Sequence, residues 1–204
     1  MIFAHRFVPG PAAGARTLVM LHGTGGNETS LLELGPMLDP SSHVMGIRGN
    51  STEEGMNRFF RRYSEGLFDE ADLIYQAHDL NGFLVEAKAT YGLNELVLVG
   101  YSNGANMAAA LLLLHPAPIS AAVMFRAMLP LLPSKPPQLT DKRALILSGS
   151  HDNMIPLESA TRLAEVMRSY GADVDQRVAP VGHALGREDV GAAAEWLSPS
   201  PLET

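Results

Sequence analysis

Cysteine is absent from the 204-residue sequence. No disulfide, thiolate nucleophile or cysteine metal site is therefore available, and the chain suits a reducing cytosol. Long apolar runs are absent too. The most apolar stretch, Met107 to Leu114, is far shorter than the ~20 residues a membrane span needs, so no membrane insertion is expected. Met1 to Pro9 contains His5 and Arg6 where a secretory signal would carry an apolar segment, and a cytoplasmic protein is expected. Charge is sparse, at 18% of residues, with a formal net charge of −7. That balance offers no basic stripe for phosphates, which argues against nucleic acid and anionic lipid as partners. No His-Glu-x-x-His run occurs and His22, His43 and His78 stand isolated, so no metal site is expected.

Apolar residues make up 46% of the chain, enough for a full core in one domain, expected over 1–204. Leu18–Leu21, Val44–Ile47, Leu96–Val99, Ala121–Phe125 and Ala144–Leu147 are nearly continuous apolar runs, as strands covered on both faces should be. Val174–Val178 alternates more and reads as a strand near an edge. Helices are expected at Asp69–Thr90, Asn103–His115, Leu157–Tyr170 and Arg187–Leu197. This alternation predicts an α/β fold: a mostly parallel central sheet with helices on both faces and no large lid. Reactive groups then belong in loops at the carboxyl ends of the strands. Two stretches break the rhythm, polar Gly49–Phe68 and proline-rich Arg126–Pro137. Both follow strands and can border a site or be ordinary surface loops.

The sharpest motif is Gly100-Tyr101-Ser102-Asn103-Gly104, set between a buried strand and a helix. A serine on such a turn needs small flanks, stands clear of the sheet and lies over a helix N-terminus. Ser102 is the expected nucleophile. Of seven histidines, His183 alone follows the last strand at the correct edge, which makes it the expected base. His78 and His115 fall on helices, and His5 and His43 lie near strand beginnings. Asp152 ends the loop after Ala144–Leu147 and is the expected partner of the base. Asp173 and Asp175 precede or lie within the last strand and are poorer candidates, while His151 reads as a loop residue. Leu21-His22-Gly23-Thr24-Gly25-Gly26 follows the first buried strand, and its glycines let backbone approach a substrate. The backbone N–H groups of Thr24 and Asn103 are the expected oxyanion donors. Met56, Phe59, Phe60, Met128, Met154 and Ile155 are candidates for an apolar pocket. Arg126 is a candidate for binding a substrate carboxylate or phenolic oxygen, or for anchoring the prolines behind it.

Together these pieces resemble the carboxylesterase/phospholipase branch of the α/β-hydrolases. Asn103-Gly104-Ala105-Asn106 and Phe125-Arg126-Ala127-Met128-Leu129-Pro130 are most similar to small bacterial hydrolases related to hydroquinone-resistance proteins. The resemblance implies an α/β-hydrolase fold and hydrolysis of a small-molecule ester through an acyl-enzyme, with no cofactor. It also brings a homodimer among the expectations. Thioester or lysophospholipid hydrolysis uses the same residues, as do peptidase and lactonase chemistry. A ligand receptor that keeps the fold without catalysis is the reading from another class.

Overall fold

The structure, a computed structural model, describes residues 3–12, 14–64 and 66–198. The expected domain span of 1–204 thus includes a few positions outside the described residues. In chain order the elements are β1 (His5–Val8), β2 (Thr17–Leu21), α1 (Leu34–Leu38), β3 (His43–Ile47), β4 (Ser51–Glu53), β5 (Met56–Arg58), β6 (Arg62–Ser64), β7 (Leu67–Phe68), α2 (Glu70–Tyr91), β8 (Leu96–Tyr101), α3 (Asn103–Leu114), β9 (Ile119–Phe125), β10 (Arg143–Gly149), α4 (Leu157–Ser169), β11 (Asp173–Ala179) and α5 (Arg187–Leu197).

Seven strands form the central sheet in the order β1-β3-β2-β8-β9-β10-β11. Every neighbouring pair is parallel except β1 with β3. The expected strands are all present, and β11 is the edge strand its alternation suggested. Successive side chains of a strand point to opposite faces. Val19 and Leu21 accordingly join the core under α2, α3 and α4, while Leu18 and Met20 join the core under α1 and α5. Both faces are dry, which is why the strands read as unbroken apolar runs. α3 is buried along nearly its whole length, Asn103 to Leu113. Its run of alanines keeps it thin enough to lie close on the sheet.

Six short elements have no range in the sequence reading: antiparallel β1, of which only a start near His5 was expected, the helix α1, and the four hairpin strands within Gly49–Phe68. That polar stretch folds as β4 paired with β5 and β6 paired with β7. The carboxyl ends of the central strands are stitched level by backbone bonds. Ser102 N–H donates to Phe125 O at 2.9 Å, Arg126 N–H to Leu147 O at 2.9 Å, and Ser150 N–H to Ala179 O at 2.8 Å. The segments after β8, β9, β10 and β11 therefore leave the sheet side by side.

Candidate active site

Ser102 sits at the turn between β8 and α3 with φ 52° and ψ −113°, a sparsely populated conformation for a residue with a Cβ. The flanking glycines have a steric cause. A Cβ on Gly100 would lie 2.6 Å from Ala105 Cα, and one on Gly104 would run into the Leu21 carbonyl. The strand, the turn and the first turn of α3 are thus pressed together, and the serine is left projecting.

His183 Nε2 lies 3.0 Å from Ser102 Oγ, and His183 Nδ1 lies 2.8 Å from Asp152 Oδ2. The structure brings these three residues, from three loops, into one hydrogen-bonded chain. Asp152 Oδ1 accepts from Met154 N–H at 2.8 Å and Ile155 N–H at 3.0 Å. Burial alone would raise its pKa. The bonds from Ile155, His183 and Met154 outweigh that and hold the carboxyl below its ordinary value. The acid and base loops also touch directly. His151 N–H donates to Val181 O at 3.1 Å, and a Cβ on Gly149 would strike that same carbonyl.

Ser102 opens on a cavity of about 240 Å³ bordered also by Thr24, Asn103, Met56, Met128, Met154 and Ile155. Asn103 is the first residue of α3, so its N–H has no acceptor within the helix. Thr24 stands on the loop after β2, which is held by Gly25 N–H to Asn57 O at 2.9 Å and Asn57 Nδ2 to Gly26 O at 2.9 Å. His22 anchors the base of this loop. Its Nδ1 faces Gly23 O at 2.7 Å and so donates, and its Nε2 accepts from Gly49 N–H at 3.1 Å. Burial holds its pKa below the ordinary value, in keeping with that neutral tautomer.

Three expected cavity residues lie elsewhere. Phe60 is fully buried, its ring packed edge-on 5.1 Å from that of Phe68, and does not line the cavity. Phe59 is buried behind the site: its ring packs 4.8 Å from that of His22, and its N–H donates to Asn103 Oδ1 at 2.7 Å. It shapes the wall without lining it. Arg126, expected either at the substrate or at the proline-rich segment, does neither. It is 1% exposed, and each of its five N–H groups is engaged. Nε donates to Gly182 O, Nη1 to Leu147 O and Asp189 Oδ1, and Nη2 to Ala184 O and Asp189 Oδ2, all within 2.8–3.2 Å. A guanidinium has five donors, so none is left for a ligand. Tyr101, which lines the cavity, adds an O–H bond to His183 O at 3.2 Å. The carbonyls of Gly182, His183 and Ala184 are all held by side chains. Asp189 in the first turn of α5 also accepts from Gly186 N–H at 2.8 Å.

The Arg126–Asp189 pair is buried at both ends, so removing one partner strands the other charge. Asp189→Ala is expected to cost about 3–5 kcal/mol, a melting-temperature fall on the order of 10 °C for a chain of this size. A thermal melt within a degree or two of wild type would show that water or another group compensates the arginine.

Sequence reasoning also missed Tyr101, Asn106, Arg58, Arg62 and Phe68 at the cavity. Asn106 Oδ1 accepts from Met128 N–H at 2.9 Å, so the two asparagines of α3 each pin one bordering loop. Among the described residues no cluster of His, Asp and Glu is arranged to hold a metal ion. Among them, too, no helix is long and apolar enough to cross a membrane.

A mostly parallel sheet with helices on both faces, and a serine raised on a strand-to-helix turn beside a histidine and an aspartate, define an α/β-hydrolase. The chain belongs to the phospholipase/carboxylesterase family, whose profile matches residues 6–200. It is 39% identical over 181 residues to the hydrolase MhqD of Bacillus subtilis, covering 88% of this chain and 90% of that protein. A carboxylesterase of Bacillus cereus has a similar structure, with TM-score 0.92 and 38% identity over 96% of this chain and 93% of that one. A carboxylesterase of Mesorhizobium loti matches with TM-score 0.89 and 31% identity, over 96% and 94%. The protein is an enzyme of the hydrolase class.

Proposed function

We propose that the protein is a serine carboxylesterase for small esters. The observation that carries this reading is the chain from Ser102 Oγ to His183 to Asp152, 3.0 and 2.8 Å long. Ser102 attacks the acyl carbon while His183 Nε2 takes its proton. Asp152 keeps the Nδ1 proton in place and stabilises the imidazolium. The carbonyl oxygen becomes an oxyanion against the N–H groups of Thr24 and Asn103, aided by the N-terminus of α3. His183 then gives its proton to the departing alcohol and leaves an acyl-serine. Water, deprotonated by the same histidine, releases the acid and restores Ser102. No step calls for a cofactor. A cavity of about 240 Å³ with methionine and isoleucine on its wall favours short-acyl or aromatic esters. The carboxylesterases of similar structure support the ester class, and the lack of cysteine suits action in the cytosol.

A fluorophosphonate probe tests the reading. Wild-type protein is expected to label at Ser102, with peptide mapping to locate the adduct, and to cleave p-nitrophenyl esters best at short chain length. Failure to label would leave a receptor on the same fold. Faster cleavage of acyl-thioesters than of matched esters would move the activity to thioesterase.

A further inference from the structure

We propose that the side-chain amides of Asn103 and Asn106 form a neutral donor subsite in the cavity, and that the preferred substrate is a small ester carrying a second, uncharged carbonyl oxygen. This rests on the serine esterase reading above and names the substrate class within it.

Both asparagines border the cavity that Ser102 opens on, yet they are only 4% and 3% exposed. They stand three residues apart at the start of α3, a spacing that puts side chains on one helix face with Cβ atoms about 5–6 Å apart. Their oxygens are already occupied. Asn103 Oδ1 accepts from Phe59 N–H at 2.7 Å, and Asn106 Oδ1 accepts from Met128 N–H at 2.9 Å. A backbone N–H only donates, so each bond fixes which end of the amide is oxygen. It turns the amide nitrogen to the other side. Neither Nδ2 donates to any described residue, and neither is sealed from the cavity. An aspartate would hold Phe59 or Met128 equally well. What asparagine adds, without a charge, is a pair of N–H donors.

Donors on such a wall discriminate between substrates. An alkyl group that fills the cavity strips them of water and returns nothing. A carbonyl oxygen offers two lone pairs and no proton of its own, the complement of a surface made of donors. The amides are uncharged, so the matching group needs no charge either. The cavity, at about 240 Å³, suits a short keto ester and not a lipid chain. Asn103 also presents its backbone N–H to the oxyanion, so the test is made at Asn106.

The experiment compares keto esters with isosteres in which a methyl group replaces the ketone oxygen. Ethyl 4-oxopentanoate is set against ethyl 4-methylpentanoate for an acceptor on the acyl side. On the alcohol side, 2-oxopropyl butanoate is set against 2-methylpropyl butanoate. Each kcat/KM, measured in a pH-stat, is divided by the ester's own hydroxide rate to remove intrinsic reactivity. At least one keto ester is expected to lead its isostere by about 10- to 100-fold, the scale of leaving a buried donor unpaired. Asn106→Asp keeps an oxygen for Met128 N–H and removes the amide donors, and it is expected to return that ratio to near one. Asn106→Ala is expected to do the same, and it carries the test if the aspartate variant does not fold. The ratio cancels any loss common to both substrates. A wild-type ratio near one, or a ratio unmoved in either folded variant, overturns the subsite and leaves the esterase standing. Monoethyl succinate, the carboxylate isostere of ethyl 4-oxopentanoate, preferred by wild type over both keto esters overturns the uncharged acceptor. If no ester is turned over in a Ser102-dependent way, the esterase reading fails and the subsite falls with it.

Discussion

Alanine at position 102 is expected to cut ester turnover by about 10⁶, the scale on which a nucleophilic serine of this type is lost. The fold is expected to survive. Alanine keeps the Cβ, so the backbone at φ 52° is no more and no less strained than before. Only the hydroxyl bond to His183 disappears, and that bond is partly exposed to water. The cavity and the N–H groups of Thr24 and Asn103 remain, and they account for whatever rate survives over water. Turnover by Ser102→Ala within tenfold of wild type, in protein purified free of it, would remove Ser102 from the mechanism. A large fall in melting temperature beside the lost activity would point instead to a structural serine.

Asparagine at position 152 comes second, with an expected loss of up to roughly 10⁴ in turnover. Its carbonyl oxygen can still accept from Met154 and Ile155, so the loop keeps its shape. If the amide nitrogen then faces His183 Nδ1, it asks that atom to accept. The ring proton moves to Nε2, where it faces Ser102 and cannot take the serine's proton. Asp175→Asn is the control, because Asp175 pairs with Arg177 on the surface and the loss there should be small. The reverse pattern would mean that the wrong carboxylate had been chosen. The same substitution has a pH signature. Asp152 is held below its ordinary value in the folded state. Its ionisation therefore contributes stability that is full above the unfolded carboxylate pKa of about 3.9, and that is lost as pH falls through the lower folded value. Acid titration of wild type and Asp152→Asn, followed by denaturant melts, should show their stability difference shrinking across that window.

The parallel strands were legible because burial on both faces leaves no polar residue to interrupt them, as in Leu96–Val99. The elbow was legible because two glycines and a serine at fixed spacing have a steric meaning that the Leu21 and Ala105 contacts bear out. The hairpins were not. β4 and β5 are three residues each, too short to show a period. Their turn is Glu54-Gly55, both at positive φ, where the usual signal is Asn-Gly or Asp-Gly. The misplaced Phe59 follows from the same gap. Without a strand at Met56–Arg58 there was no alternation to say which side chains faced the cavity. Arg126 failed for another reason. The sequence placed it at the right edge of the sheet, but its direction is set by Asp189, 63 residues further on, and no local pattern announces such a partner.

The grip of Arg126 decides how the site comes apart. A histidine on a surface loop would ordinarily open and close by itself, at little cost, many times for each global unfolding event. Here the loop hangs from a guanidinium rooted at the end of β9 and locked to the first turn of α5. Opening it means breaking a desolvated ion pair, and undoing that pair releases α5 as well. The base, the end of β9 and the last helix therefore form one cooperative unit. Fraying at the far end of α5 can be tolerated, but once its first turn unwinds the histidine has lost its address.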